Sequence, residues 1–259
     1  MERLSEEFRS KRNRLFWRLR EKIGFRRDGY AERGDLDALS DPEAARLEAA
    51  YGLTELKLKI SPAVYQKNLA TLWILERMLG PVDLTPGVLE VLEPGCQDFA
   101  RLPALRAYLN RRGANPRITG LEVDAFPLLA GFHSRADKAR YYLSLSPNSP
   151  EDRYLPQDFF RWQGSADLAL CFYPFVSANP ALAWGLPKEF GAAKAWVQAF
   201  ERSLNPGGKL LVVHQGEWEE EAFDEARIGA RLTLLDRRPV DCPFYPLPHP
   251  ACASLYRKD

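Results

Sequence analysis

Residues 88–99 read Val-Leu-Glu-Val-Leu-Glu-Pro-Gly-Cys-Gln-Asp-Phe. Val88, Leu89, Val91 and Leu92 make a short apolar run closed by an acid and a Pro-Gly turn. That is the pattern of a central strand in a parallel α/β sheet, buried on both faces. Such sheets bind their ligands beyond the carboxyl ends of the strands, so function is sought at the turn from Glu93 to Asp98.

Downstream of this stretch, helix and strand patterns alternate, the mark of a βαβ domain. A helix is expected over Phe99–Arg112, with Asp98 as its N-cap. A second strand follows at Ile118–Val123, then a helix from Phe126 to about Tyr141 and a polar insertion, SLSPNSPEDR. Tyr154–Phe160 carries a short third strand and its exit turn, and Ala166–Phe172 is the fourth strand. After a Pro- and Gly-rich loop at 175–191 come a helix over Ala192–Leu204, a strand at Lys209–His214 and an acidic helix at Glu217–Ile228. The last strands are Ala230–Asp236 and Ala251–Arg257, joined by the loop PVDCPFYPLPHP.

Upstream, residues 1–83 read as a helical N-terminal segment and 84–259 as the α/β domain. Ser61-Pro62 and Asp41-Pro42 are helix starts, a polar residue before proline at the first helical position. The helix that starts at Ser61-Pro62 is closed by Gly80, a candidate C-terminal glycine cap. Gly29–Gly34 and Asp35–Asp41 look like a polar linker. Residues 1–30 form a basic amphipathic arm with ten Lys or Arg against five Asp or Glu. Leu4, Phe8, Leu15, Leu19 and Ile23 recur at helical spacing within it. One reading docks this helix on the main domain with its arginine-rich face in solvent. The other makes it an arm that grips substrate or RNA phosphates.

The bulk numbers exclude several classes. Net charge is +1 over 259 residues, which gives the chain as a whole no pull toward nucleic acid. No apolar run approaches the ~20 residues that span a bilayer, so no membrane partner is expected, and a charged N-terminus points to a cytoplasmic location. The four cysteines, at 96, 171, 242 and 252, form no CxxC pair, and the histidines lie apart at 133, 214 and 249. Reduced thiols are expected, and no metal site. A nicotinamide cofactor is disfavoured, because its pyrophosphate wants G-x-G-x-x-G, and Asp98 would bring negative charge to that cradle.

Four segments taken in order resemble the class I S-adenosylmethionine-dependent methyltransferases. LEPGCQDF is similar to the family's first strand, acid and glycine turn; ITGLEVDAF to its second strand with a ribose-binding acid. YLPQDFF is similar to the acidic turn that reads adenine, and LNPGGKLLVVH to the Pro-Gly-Gly turn before strand five. The resemblance covers about two thirds of the chain, from Val88 onward. It implies a Rossmann-like methyltransferase fold: a seven-stranded, mostly parallel sheet in the order 3-2-1-4-5-7-6 with helices on both faces.

S-adenosylmethionine is the cofactor so implied. Glu93 would help hold the methionyl amino end, with Gly95 and Cys96 forming the turn and Gln97 meeting the carboxylate. Glu122 would accept from the ribose hydroxyls, Asp158 from the adenine amino group, with Leu155, Phe159 and Phe172 as apolar contacts. The family usually has glycine where Gln97 stands and often another where Phe99 stands. A non-catalytic protein with an altered cofactor turn is therefore the alternative to methyl transfer.

Methyl transfer asks mainly that the acceptor be positioned. The catalytic candidates are Tyr173, in Tyr173-Pro174-Phe175 after the fourth strand, and His214, as a general base ending the fifth. Trp184 and Phe190 are candidates for a lid over an aromatic or apolar small-molecule acceptor. RNA held through the 1–30 arm is the other acceptor class.

Overall fold

The computed structural model describes the chain except residues 1, 35–39, 81–86, 130, 147, 148, 150, 248 and 249, with backbone alone for 2–4. The boundary expected at 83/84, most of the 35–41 linker, His249, the Leu4 side chain and parts of the two polar loops lie outside the described residues. The helices are α1 (Glu2–Ile23), α2 (Pro42–Tyr51), α3 (Pro62–Leu79), α4 (Leu102–Arg111), α5 (Arg135–Ser144), α6 (Ala178–Ala183), α7 (Ala193–Ser203) and α8 (Glu217–Arg227). The strands are β1 (Val88–Pro94), β2 (Asn115–Leu121), β3 (Arg153–Leu155), β4 (Ala166–Phe172), β5 (Leu204–His214), β6 (Leu232–Val240) and β7 (Ala251–Lys258).

They form one seven-stranded sheet in the order β3-β2-β1-β4-β5-β7-β6. β1 pairs in parallel with β2 and with β4. β7 runs antiparallel to both its neighbours, β5 and β6. The expected order is found. Connections leave β1 in opposite directions along the sheet, so a crevice opens at the carboxyl ends of β1 and β4, the switch point of the topology.

The period of two along each strand sorts side chains into two cores. Leu89, Val91, Ile118, Leu168, Leu170, Leu211 and Val213 face one way and bury Leu47, Leu69, Leu72, Leu105 and Tyr142 of the helices α2 to α5. Leu92, Leu121, Ala169, Leu210, Val212 and Tyr256 face the other way, against Val197 and Phe200 of α7 and Phe223 of α8. The helices upstream of β1 thus share the sheet's own core.

Several elements differ from their sequence reading. Helix α4 begins at Leu102, with Arg101 in the N-cap position; Asp98 instead accepts a hydrogen bond from the Ala100 N–H (3.3 Å) within the preceding turn. Helix α5 begins nine residues later than expected. Ser134 and Asp137 cap it reciprocally, and this capping box sets the start where apolar spacing did not. β3 is only three residues, and β5 reaches back through Asn205–Gly208 with an irregular register against β4. β6 extends to Val240, carried past Asp236 by its pairing with β7. Gly80 is the C-cap of α3, as expected, and holds right-handed helical angles there.

The largest difference is α1. Its apolar row faces outward: Phe8 is 69% exposed, Leu15 67%, Leu19 48% and Ile23 64%. The docked face is polar. Asn13 Nδ2 donates to the carbonyls of Leu182 (3.0 Å) and Leu186 (2.9 Å), and Trp17 Nε1 donates to Val123 O (2.8 Å). Loops around α6 present carbonyls that need donors, and α1 provides them.

Candidate functional site

A cleft of about 360 Å³ opens beyond the carboxyl ends of β1 and β4. Gly95, Gln97, Glu122, Asp158, Phe159, Phe172 and Tyr173 all line it. Seven residues expected at the site from separate stretches of sequence therefore meet at one place.

The turn after β1 is built on left-handed backbone. Gly95 has φ 69, Gln97 φ 57 and Phe99 φ 63. A Cβ on Gly95 would meet only Trp196, at 3.7 Å, so glycine is favoured there by conformation and not by space. Gln97 and Phe99 hold the same region with full side chains, at a cost of roughly 1–2 kcal/mol each. The turn keeps the shape that glycines would give it. Phe99 does not fill the cleft: its ring is buried over Gly120, where a Cβ would come within 2.8 Å of it.

The turn's N–H groups are committed. Those of Gly95 (2.8 Å) and Cys96 (3.2 Å) donate to Leu121 O at the end of β2, and that of Gln97 donates to Glu122 Oε2 (2.8 Å). Glu122 Oε1 accepts from the Asp124 N–H (2.9 Å). Burial raises the Glu122 carboxyl above its ordinary value, opposed by the Arg135 guanidinium 3.7 Å away. Arg135 also lies 3.6 Å from Asp124, to which Arg20 of α1 makes paired bonds at 2.9 and 3.1 Å. Two buried acids are so matched by two arginines at the rim.

On the far side, Asp158 accepts from the Phe160 N–H (2.9 Å) and burial raises its carboxyl. Phe159 packs on Phe200 with ring centroids 4.9 Å apart. Trp196 donates to Phe175 O (3.1 Å) and, with Phe175, Trp184 and Phe190, gives the outer cleft an aromatic wall. Trp17 of α1 packs edge-on against Phe190 at 5.2 Å. Tyr173 has φ 62 and its N–H donates to Val213 O (2.7 Å), which turns its side chain at the exit of β4. Burial pushes its hydroxyl pKa up.

Leu155, an expected apolar contact, is not among the residues lining the cleft, and three further candidates lie elsewhere. Glu93 is still within β1 and shares the parity of Val91, so it points into the α3–α4 core, 1% exposed, with Arg101 3.9 Å away. Neither of its carboxylate oxygens has a hydrogen-bond partner among the described residues, and burial pushes its carboxyl up to about 7. Cys96 is buried beside Gly120 and Phe99, its thiol also pushed up by burial. His214 shares the parity of Val212 and faces Phe223 of α8 at 5.4 Å, under the sheet and away from the cleft. Burial lowers it to about 4. All four cysteines are free, and among the described residues no group of three or more His, Cys, Asp or Glu is placed to hold a metal ion.

Sequence reasoning missed Arg20, Arg135 and Trp196. Arg20 lies 104 residues from the acid it pairs with, and no local pattern marks such a partner.

No family model and no curated protein matches the sequence. Among solved structures, TrmN from Thermus thermophilus is similar at 16% identity and TM-score 0.50, over 83% of this chain but only 53% of that one. The chain thus spans about half the length of that protein. The putative RNA methyltransferase PH1948 from Pyrococcus horikoshii aligns with TM-score 0.51 and 13% identity, over 84% of this chain and 99% of that one. The [4+2]-cyclase SpnF is similar to the same degree, with TM-score 0.51 and 14% identity over 93% and 90%. With its strand order, its single antiparallel strand and these likenesses together, the chain has the Rossmann-like fold of the class I S-adenosylmethionine-dependent methyltransferases.

Proposed function

We propose that the cleft binds S-adenosylmethionine and that the protein transfers its methyl group to a small-molecule acceptor with an apolar or aromatic body. One observation carries this reading: Gly95, Glu122 and Asp158, drawn from three strand ends, converge on one cleft whose volume falls in the ~300–1,000 Å³ range of small-molecule sites. The residues fit the group. Glu122 has used two of its four lone-pair sites and keeps two for the ribose hydroxyls. Asp158 would take the adenine amino group, with Phe159 against the ring. Gln97 and Phe172 would border the methionyl arm.

Bound there, the cofactor supplies an activated sulfonium methyl group; the chain's own task is to place the acceptor in line and keep water away. Phe175, Trp184 and Phe190 would hold a planar acceptor, and the packing of Trp17 on Phe190 closes the outer wall. With its pKa raised, the Tyr173 hydroxyl stays protonated at neutral pH and can orient the acceptor by a hydrogen bond without acting as a base. A small molecule is favoured over RNA because α1 is laid along the wall of the cleft by Asn13 and Trp17.

A second reading rests on the turn itself, whose N–H groups at 95, 96 and 97 are all committed to β2 and Glu122. It makes the protein one that keeps the fold without methyl transfer, and the likeness to a cyclase is a reminder that this fold does not dictate chemistry. Calorimetric titration with S-adenosylmethionine and S-adenosylhomocysteine separates the two. Micromolar binding of either, weakened at least about tenfold in Glu122→Ala, supports the cofactor site. No heat from either with a folded sample decides for the second reading.

A further inference from the structure

Helix α1 is amphipathic in an inverted sense. Positions 10, 13, 17 and 20, at spacings of three and four, hold it to the body through Ser10, Asn13, Trp17 and Arg20. Positions 8, 15, 19 and 23 recur on the opposite face, with Phe16 (51% exposed) at its edge. A row of large apolar side chains in water is costly unless something covers it.

The charges around the row say what. Exposed Lys11, Arg18 and Lys22 each follow Phe8, Leu15 and Leu19 by three positions, so a line of cations runs beside the apolar row, and exposed Arg12 stands within it. The carboxylates are turned elsewhere: Glu7 pairs with Lys188 of the body, and Glu21 sits one turn from Trp17, at the edge of the docked face. Past the helix, two further cations reach a loop with exposed apolar side chains. Arg26 lies over the Phe126 ring at 5.8 Å and Arg27 donates to Gly131 O (3.3 Å), which brings in the loop that exposes Leu128 (55%) and Phe132 (70%).

We propose that this face of α1 lies in the plane of an anionic phospholipid surface, its apolar row among the acyl chains and its cations at the headgroups. A helix with a cation-flanked apolar stripe binds bilayers this way, gaining both buried area and attraction to anionic lipid. The absence of a spanning helix among the described residues does not bear on such peripheral contact. A second copy of the chain fits less well, since two such faces would bring cations onto cations with no acids to meet them. RNA would engage the cations but would leave Leu15, Leu19 and Ile23 uncovered, as aliphatic side chains offer bases no stacking surface. The inference does not rest on the methyltransferase reading.

Flotation of the full chain with vesicles of phosphatidylcholine alone, and with vesicles in which about a third of the lipid is phosphatidylglycerol, tests it. Binding to the anionic vesicles only is expected. It should fall by at least about tenfold in Leu15→Glu/Leu19→Glu and in Lys11→Glu/Arg18→Glu, with thermal midpoints unchanged because these side chains are exposed. Three results would each overturn the proposal. The first is no binding to anionic vesicles, or binding unchanged in both double variants. The second is a dimer by sedimentation that Leu15→Glu/Leu19→Glu dissolves, which assigns the row to contact between copies. The third is retention of a single-stranded RNA, without vesicle binding, that only the cation variant loses.

Discussion

Gln97 shows most directly how a residue can be wrong in type and right in conformation. Its φ of 57 belongs to glycine's territory, and its backbone is held there from both sides: the N–H by Glu122, the carbonyl by the Tyr154 hydroxyl (2.9 Å). Gln97→Gly should therefore remove roughly 1–2 kcal/mol of strain while adding about 0.5–1 kcal/mol of unfolded-chain entropy. A net gain of up to about 1 kcal/mol in urea unfolding is expected; a loss of that size would show that the side chain stabilises the turn. Glu93 makes a different prediction. Its carboxyl is raised from about 4.5 to about 7, so the folded form holds a proton that the unfolded chain has released. Stability then falls as pH rises from 4.5 to 7, by an amount on the order of 3 kcal/mol. His214 is lowered to about 4, and its contribution has the opposite slope: present above 6.5 and lost as pH falls toward 4. The two conceal each other in the wild-type profile. Glu93→Gln should expose the difference, gaining stability over wild type at pH 8 relative to pH 5; an equal effect at both pH values would mean that the Arg101 pair, and not burial, sets the carboxylate's state.

At the scale of elements, what was legible followed from burial on both faces. β1 and β4 are largely apolar runs because helices cover both sides of the sheet, and the strand order came with the family resemblance. Boundaries set by side chain to backbone bonds were not legible. The apolar spacing from Phe126 continues a helix that Ser134 and Asp137 in fact begin, and Asp98 looks like a cap but serves a turn. In the site, Gly95, Gln97, Glu122, Asp158, Phe159, Phe172 and Tyr173 could be found from strand ends, while strand parity sent Glu93 and His214 into opposite cores. Helix α1 was misread because periodicity marks the apolar face, whereas this helix docks by hydrogen bonds. That predicts an inverted sensitivity. Asn13→Ala strands two buried carbonyls and should cost about 2 kcal/mol, whereas Leu15→Ser on the outer face should change stability by less than about 0.5 kcal/mol. Thermal melts that rank them the other way would place the apolar row, and not the polar one, in the folded core.

Across the whole molecule, the cleft is assembled from both ends of the chain's contact map. The sheet presents Glu122 and Asp158, but the rim around Glu122 is closed by a residue that precedes the first strand. Arg20 neutralises Asp124, Trp17 holds Val123 O, and Asn13 holds the loop that carries Trp184 to Phe190. Freed from Arg20, Asp124 would compete for Arg135, whose guanidinium is shared with Glu122 and stacks over Trp184 at 4.8 Å. The ribose side of the cleft and its aromatic wall would loosen together. Arg20→Gln should accordingly weaken S-adenosylhomocysteine binding by about fivefold or more in calorimetric titration, although Arg20 is not among the residues lining the cleft. Leu15→Glu/Leu19→Glu, on the opposite face of the same helix, should leave that affinity unchanged. If both variants lowered it alike, α1 would matter to the site only through being folded; if neither did, Arg135 alone would suffice to hold Glu122 and Asp124 in place.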